Sequence, residues 1–247
     1  MEYRSIAMRI AMISYLISAM FLWASAQVFA QPAAAKGYLY DSTVVAQKIR
    51  HANALAASPL FAEVVARLTT LQTEMHKEQV VSFGKDSSGI TIASPIRSGN
   101  FNNASLPGIH RRFADIHIHT SEHPPSSGDI YGFSDQAIAD SQYLRLIVTP
   151  QQTIYALIMV DPKAAIAFNN KYPRRAGIKK PQADGSTTFY QPTFPQELVD
   201  AFNRVRGWLG ATRAQSLAYL LIKYKSGIRL LQRGEDGHFM MVHAPAE

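Results

Sequence analysis

The stretch Ala114-Asp115-Ile116-His117-Ile118-His119-Thr120-Ser121-Glu122-His123-Pro124-Pro125-Ser126-Ser127-Gly128-Asp129 concentrates side chains able to bind a metal ion or move a proton. Apolar and polar residues alternate from Phe113 to His119, which predicts a short strand. Residues two apart on a strand share a face, so His117 and His119 can converge on one ion. Asp129 lies ten positions after His119, at the expected start of a helix, and offers a third ligand. Two imidazoles and a carboxylate leave a fourth tetrahedral position for water, the arrangement of a catalytic rather than a structural zinc. A base must take the proton of that water. Glu78, just ahead of an earlier strand, is the upstream carboxylate best placed beside the central strand, with Glu74 as the alternative. Ser126 fits a helix cap. His123 precedes two prolines and reads as part of a solvated loop rather than as a further ligand, and His110, His238 and His243 belong to no partnered motif.

The elements that must position these residues follow from periodicity. Val44, Val45, Ile49, Ala52 and Leu55 fall near helical spacing within Asp41 to Ala57. Ser58 is placed to cap a second helix with Pro59 at its first position, and Leu60, Phe61, Val64, Val65, Leu68, Leu71 and Met75 form its apolar stripe, ending near Lys77. The period then changes. Gln79 to Gly84 and Gly89 to Ala93 flank the turn-rich Lys85-Asp86-Ser87-Ser88 and predict a hairpin. Ser98 to Pro107 reads as a loop, and Ser126 to Ser141 as a helix with Ile130, Phe133, Ala137 and Ile138 on one side. Tyr143 to Val148 and Thr153 to Val160 read as two further strands, and Lys171 to Pro195, rich in Pro, Gly and basic residues, as a long surface loop. Two amphipathic helices follow, Pro195 to Arg206 and Thr212 to Tyr224, then a hairpin from Ile228 to Val242 turning at Glu235-Asp236-Gly237. The fold class expected is therefore α/β: a mixed sheet flanked by helices, with a C-terminal helix-helix-hairpin extension. Its expected divisions are residues 1–30, 31–57, 58–168, 169–194 and 195–247.

Composition narrows the chemistry. The chain has 247 residues, 25 Lys plus Arg against 18 Asp plus Glu, and no cysteine. That excludes disulfides, thiolate metal sites and a cysteine nucleophile, so any metal must be held by His, Asp or Glu. The net charge of +7 suits an acidic partner, but no aromatics interleave with the basic residues, and nucleic acid is not expected as a partner. Arg4 and Arg9 precede an apolar run from Ile10 to Trp23, followed by small residues. Residues 1–30 thus read as an export signal, with small-x-small cleavage sites ending at Ala26 and Ala30. The expected location is outside the cytoplasm, periplasmic or secreted, with no stable membrane insertion once the signal is removed. An uncleaved anchor is the alternative, because Ile10 to Ala30 is close to the roughly 20 residues that span a bilayer.

Glu78 leading a strand, His117-x-His119, Ser126-x-x-Asp129 and the strand pair Tyr143 to Val160 together resemble the JAMM (JAB/MPN) metallopeptidases, especially their divergent bacterial secreted and toxin-associated relatives. The resemblance covers roughly Ser58 to Phe168, and the segment from His119 to Ser126 is one residue shorter than is usual in that family. It implies His117, His119 and Asp129 as zinc ligands, Glu78 as general acid/base on the attacking water, and Ser126 as a donor to the oxyanion. The activity it implies is zinc-dependent hydrolysis of peptide or isopeptide-type amide bonds. The partner is then a peptide or protein substrate, with cell-wall stem peptides among the candidates. A non-catalytic envelope binding or scaffold protein on the same frame is the alternative. Asp115-x-His117-x-His119 also resembles the opening motif of the PHP phosphoesterases, but the many downstream His and Asp ligands of that barrel have no counterpart here. Mass spectrometry of the exported protein is expected to find an N-terminus at Gln27 or Gln31; an intact Met1 form embedded in membrane would show an anchor instead.

Overall fold

The structure, a computed structural model, describes residues 40–100, 104–175, 178–181, 187–190 and 194–245. The expected signal peptide and the linker after it fall outside these residues. Helices α1 (Ser42–Ala56) and α2 (Pro59–Met75) come first, followed by strands β1 (Gln79–Lys85), β2 (Thr91–Ala93), β3 (Arg97–Ser98) and β4 (Ala114–Ile118). Helix α3 (Ser127–Ala137) leads to β5 (Leu144–Val148), β6 (Ile154–Met159) and α4 (Pro162–Lys171). A small pair, β7 (Ile178–Pro181) and β8 (Thr187–Tyr190), precedes α5 (Gln196–Leu209), α6 (Arg213–Lys223), β9 (Ile228–Arg233) and β10 (Phe239–Met241). Among the described residues no single helix is long and apolar enough to cross a membrane.

One eight-stranded sheet organises the chain, in the order β10-β9-β6-β5-β4-β1-β2 with β3 also on β1. Every pairing is antiparallel except β4 with β5, which are parallel and joined through α3. This is the mixed α/β architecture expected. Both faces are covered, so β4 and β5 are buried along their whole length. On one face Leu55 of α1 and Phe61, Val64 and Leu68 of α2 pack over Phe83, Ile116, Leu146 and Ile158. On the other face Phe133 of α3, Phe168 of α4, Leu198 of α5 and Leu217 and Leu220 of α6 pack over Ile147, Leu157 and Leu230. Along β4 the first face receives Ala114, Ile116 and Ile118; the second receives Asp115 and His117. Charged and ionisable groups on a doubly buried strand cost solvation free energy unless they are paired, and here they mark the site.

Several local signals decide the element ends. Ser58 caps α2, its hydroxyl accepting from the Phe61 N–H at 3.2 Å, with Pro59 following as expected. The same helix ends at His76 in the left-handed region, φ 50°, and this turn delivers Lys77 and Glu78 toward β1. Helix α4 was not foreseen, although Asp161-Pro162 is a start signal: the Asp161 carboxylate accepts from the N–H groups of Lys163 and Ala164, and Pro162 occupies the first turn. The segment expected as one long basic loop holds the antiparallel pair β7–β8, and 182–186 lie outside the described residues. The two C-terminal helices and the hairpin form where expected. However, β9 pairs with β6, so this segment completes the central sheet as well as extending the chain.

Candidate metal centre

The site forms where β4 ends and α3 begins, at the carboxyl ends of the one parallel pair, β4–β5. Both histidines are buried, with 7% and 6% of their surface exposed for His117 and His119. Asp129 reaches them from the first turn of α3, and the reason is a helix cap. Ser126 is the N-cap and Asp129 the third helical residue, and together they form a capping box: the Ser126 hydroxyl accepts from the Asp129 N–H at 3.2 Å, while Asp129 Oδ2 accepts from the Ser126 N–H and hydroxyl, each at 2.7 Å. This leaves Oδ1 directed at His117 Nε2, 3.0 Å away, while Oδ2 also lies 3.3 Å from His119 Nε2.

The two Nε2 atoms are 3.2 Å apart. Their other ring nitrogens have separate partners. His119 Nδ1 is 3.0 Å from the His123 carbonyl oxygen, which can only accept, so the neutral ring carries its proton on Nδ1 and a lone pair on Nε2. His117 Nδ1 faces Asp115 Oδ1 at 3.9 Å, an ion-pair rather than a hydrogen-bond separation, and a proton on Nδ1 is likewise favoured there. Two nitrogen lone pairs and a carboxylate therefore point into one space, an arrangement that repels itself unless a cation occupies it. A metal bound at 2.0–2.1 Å in a tetrahedron separates its ligands by about 3.3–3.4 Å; the distances of 3.0, 3.2 and 3.3 Å come close to that edge. Among the described residues His117, His119 and Asp129 form the group able to hold a metal ion.

The field at the site agrees with this. Burial alone would lower the His117 pKa, but the Asp129 carboxylate, with Asp115 and Glu78, outweighs it and pushes the value up to about 10. Burial would raise the Asp129 pKa, yet the imidazoles of His117 and His119 hold it well below the ordinary carboxylate range. The trio thus calls for positive charge, whether from protons or from an ion.

Beneath His117 lies a buried support that sequence reasoning did not identify as such. Arg145, opposite Asp115 in the β4–β5 register, places Nε 3.0 Å from Asp115 Oδ1 and Nη2 3.0 Å from Oδ2. The Tyr143 hydroxyl donates to the same Oδ2. Burial would raise the Asp115 pKa, but the Arg145 charge and its hydrogen bonds lower it, so the carboxylate stays ionised under His117. Arg145 also donates through Nη1 to the Asp129 carbonyl at 3.2 Å, and Gly132 makes room for it: a Cβ there would sit 2.6 Å from Nη1. The available sequence signal was charge parity, one Asp and one Arg on two neighbouring buried strands.

Glu78 is half-buried just before β1. Its backbone is fixed, its N–H donating to the Asn100 carbonyl at 3.0 Å and its carbonyl accepting from the Gly99 N–H at 2.8 Å. Val80 pairs with His117 and Gln79 with Ile118; one step further along this register puts Glu78 level with His119, on the face of the histidines. Burial raises its pKa, an effect that His117 and His119 oppose and Asp129 reinforces. Glu74 is exposed on α2, away from this face. Two cavities meet at the site, about 440 Å³ on the His119 side and about 330 Å³ on the side of His117 and Asp129, and Glu78 and Ser126 line both. The His123 ring is exposed and stands outside the metal group, its Nδ1 3.2 Å from Ser121 Oγ. Its pKa is lowered first by burial and then by the charge of Arg213.

A scan against protein-family models finds no match for this chain, and a search of curated proteins finds none either.

Purified protein is expected to carry about one divalent metal ion per chain by elemental analysis, and a His117→Ala, His119→Ala double variant to carry none; undiminished metal in that variant would sink the assignment. Asp115→Asn should weaken metal affinity by roughly 10–100-fold in a chelator-competition titration, as loss of an orienting carboxylate does. It should also destabilise the fold by about 3–5 kcal/mol in denaturant unfolding, because Arg145 is left buried without its counter-charge.

Proposed function

We propose that the chain is an exported zinc-dependent hydrolase of peptide or isopeptide-type amide bonds, built on a JAMM-like arrangement. The observation that carries this reading is the convergence of three metal-compatible donor atoms, with the half-buried, backbone-anchored Glu78 lining both cavities that flank them. Two nitrogens and one oxygen at near-tetrahedral separation suit zinc. When bound there, zinc supplies polarisation of an amide carbonyl and a lowered pKa for water. Export belongs to the reading through the N-terminal segment, and gives a periplasmic or secreted location.

The roles of the chain's own residues follow from their placement. His117 and His119 keep their Nε2 lone pairs aimed at the ion because Asp115 and the His123 carbonyl face the opposite ring nitrogens. Asp129 completes the set and is fixed by the cap of α3. Glu78, between the two cavities, accepts a proton from the attacking water and returns it to the leaving nitrogen. Ser126 lines both cavities but spends its hydroxyl proton on Asp129 Oδ2. To act as the oxyanion donor it must turn that proton toward the carbonyl oxygen, which becomes easier when the Asp129 charge is shared with a cation. The engagement of Ser126 is the one observation that favours the second reading, a non-catalytic envelope binding or scaffold protein with the same ligands.

Glu78→Gln separates the two. It preserves shape and is no ligand, so metal content should stay at one zinc per chain while turnover falls roughly a hundredfold to ten-thousandfold. The assay is a screen of envelope peptides, isopeptide-linked peptides and cell-wall fragments, with zinc-loaded and chelated protein side by side. Equal rates for wild type and variant would remove Glu78 from the mechanism. Iron in place of zinc, or zinc-loaded protein that cleaves nothing yet pulls down a partner, would overturn the hydrolase reading.

A further inference from the structure

The 440 Å³ cavity beside His119 lies between the loop that follows β4 and the C-terminal segment, which supplies Phe194, Val199, Phe202, Arg213 and Leu217. Helix α5 carries two apolar stripes. Leu198, Ala201 and Val205 are buried in the core, whereas Val199 and Phe202, one position along, line the cavity. Phe194, Leu217, Pro124 and Pro125 complete its apolar lining. Its charged lining groups are Glu78 and Arg213. Glu78 belongs to the metal centre. Arg213, the first residue of α6, is exposed and has no carboxylate partner among the described residues. An apolar recess with one unpartnered guanidinium, opening at a metal ligand, fits a ligand that pairs an apolar side chain with a carboxylate.

We propose that this cavity receives the C-terminal residue of a peptide, with its apolar side chain against Phe202 and Leu217, its free carboxylate on Arg213, and the amide on its N-terminal side at His117, His119 and Asp129. The proposal rests on the hydrolase reading above and assigns it a substrate class: peptides ending in an apolar residue, shortened by one residue per turnover. The water oxygen bonds to the acyl carbon as the C–N bond breaks. The electron pair of that bond leaves with the nitrogen, which takes a water proton by way of Glu78. The products are a shortened peptide with a new carboxylate and a free amino acid carrying the second proton on its amine. The walls contributed by α5 and α6 then set which C-terminal residue is accepted, and Arg213 rejects an internal amide for lack of a counter-charge.

The test is calorimetric binding to the zinc-loaded full chain and to Arg213→Gln, with N-acetyl-phenylalanine, its C-terminal amide, and the amide of N-acetyl-glutamate as probes. Any direct hold of the ion on a carboxylate is common to both proteins and cancels when the acid-to-amide affinity ratio is compared between them. That ratio should fall about three- to tenfold in Arg213→Gln, and Arg213→Lys should recover part of it. Phe202→Ser should weaken the phenylalanine acid and its amide alike. Because Arg213 is exposed, unchanged thermal melting is expected to accompany its loss of selectivity. An unchanged ratio, no binding of any probe at millimolar concentration, or a loss on Arg213→Gln confined to the glutamate amide would overturn the proposal. The two readings fail separately: zinc-dependent cleavage of internal amides without the Arg213 effect removes only the C-terminal pocket, and the Arg213 effect without zinc-dependent cleavage of any peptide removes only the hydrolase.

Discussion

The buried pair of Asp115 and Arg145 is the interaction on which the rest of the site depends. The two residues sit opposite each other in the parallel register of β4 and β5, with 0% and 7% of their surface exposed. Taking two charges out of water costs several kcal/mol per ion, and a pair of this kind offsets that cost only with good geometry and satisfied hydrogen bonds. Both conditions hold: three guanidinium contacts to the carboxylate lie at 3.0 to 3.1 Å, the Tyr143 hydroxyl takes a further lone pair, and the remaining guanidinium nitrogen donates to the Asp129 carbonyl. The contribution is mainly positional. One guanidinium ties β4, β5 and the first turn of α3 together, and these are the elements that present the two histidines and the aspartate. Gly132 belongs to the same device, since any side chain there would displace Arg145.

The capping box couples local folding to the site in a second way. A Ser-x-x-Asp sequence needs no metal to form, because it satisfies orphan N–H groups at the start of α3. Here the carboxylate that closes the box also faces both imidazoles, so the helix start and the third candidate ligand are one feature. The positive end of the helix dipole further favours an ionised Asp129 at that position. The three candidate donors are thus organised by the protein alone, apart from the repulsion among their lone pairs, which an ion would relieve.

The C-terminal segment acts at two levels. Strand β9 adds to β6 and extends the sheet, while α5 and α6 cover the face that carries the histidines and leave a cavity beside them. Its apolar residues therefore divide between a structural stripe and a lining stripe on the same helix. A hairpin read only as an extension would leave β6 as an unprotected edge, and a long exposed edge is a liability in a sheet of this size.

Much of this was legible in the residue string. The His117-x-His119 pair, the Ser126-x-x-Asp129 spacing, the α2 start at Ser58-Pro59 and the strand pair ending in Met159 are all local patterns, with periods and caps that act over a few residues. Helix α4 is equally local, started by Asp161-Pro162, although the apolar periodicity places no helix between Val160 and Lys171. What sequence could not decide is long-range. That Arg145 pairs with Asp115 beneath His117, that the Glu78 favoured by spacing comes level with His119, and that Arg213 opens onto the same cavity depend on strand register and helix packing between residues far apart in the chain. Periodicity assigns a residue to a face, but only the packed sheet decides which faces meet, because that choice is made by the burial of apolar surface summed over the whole domain.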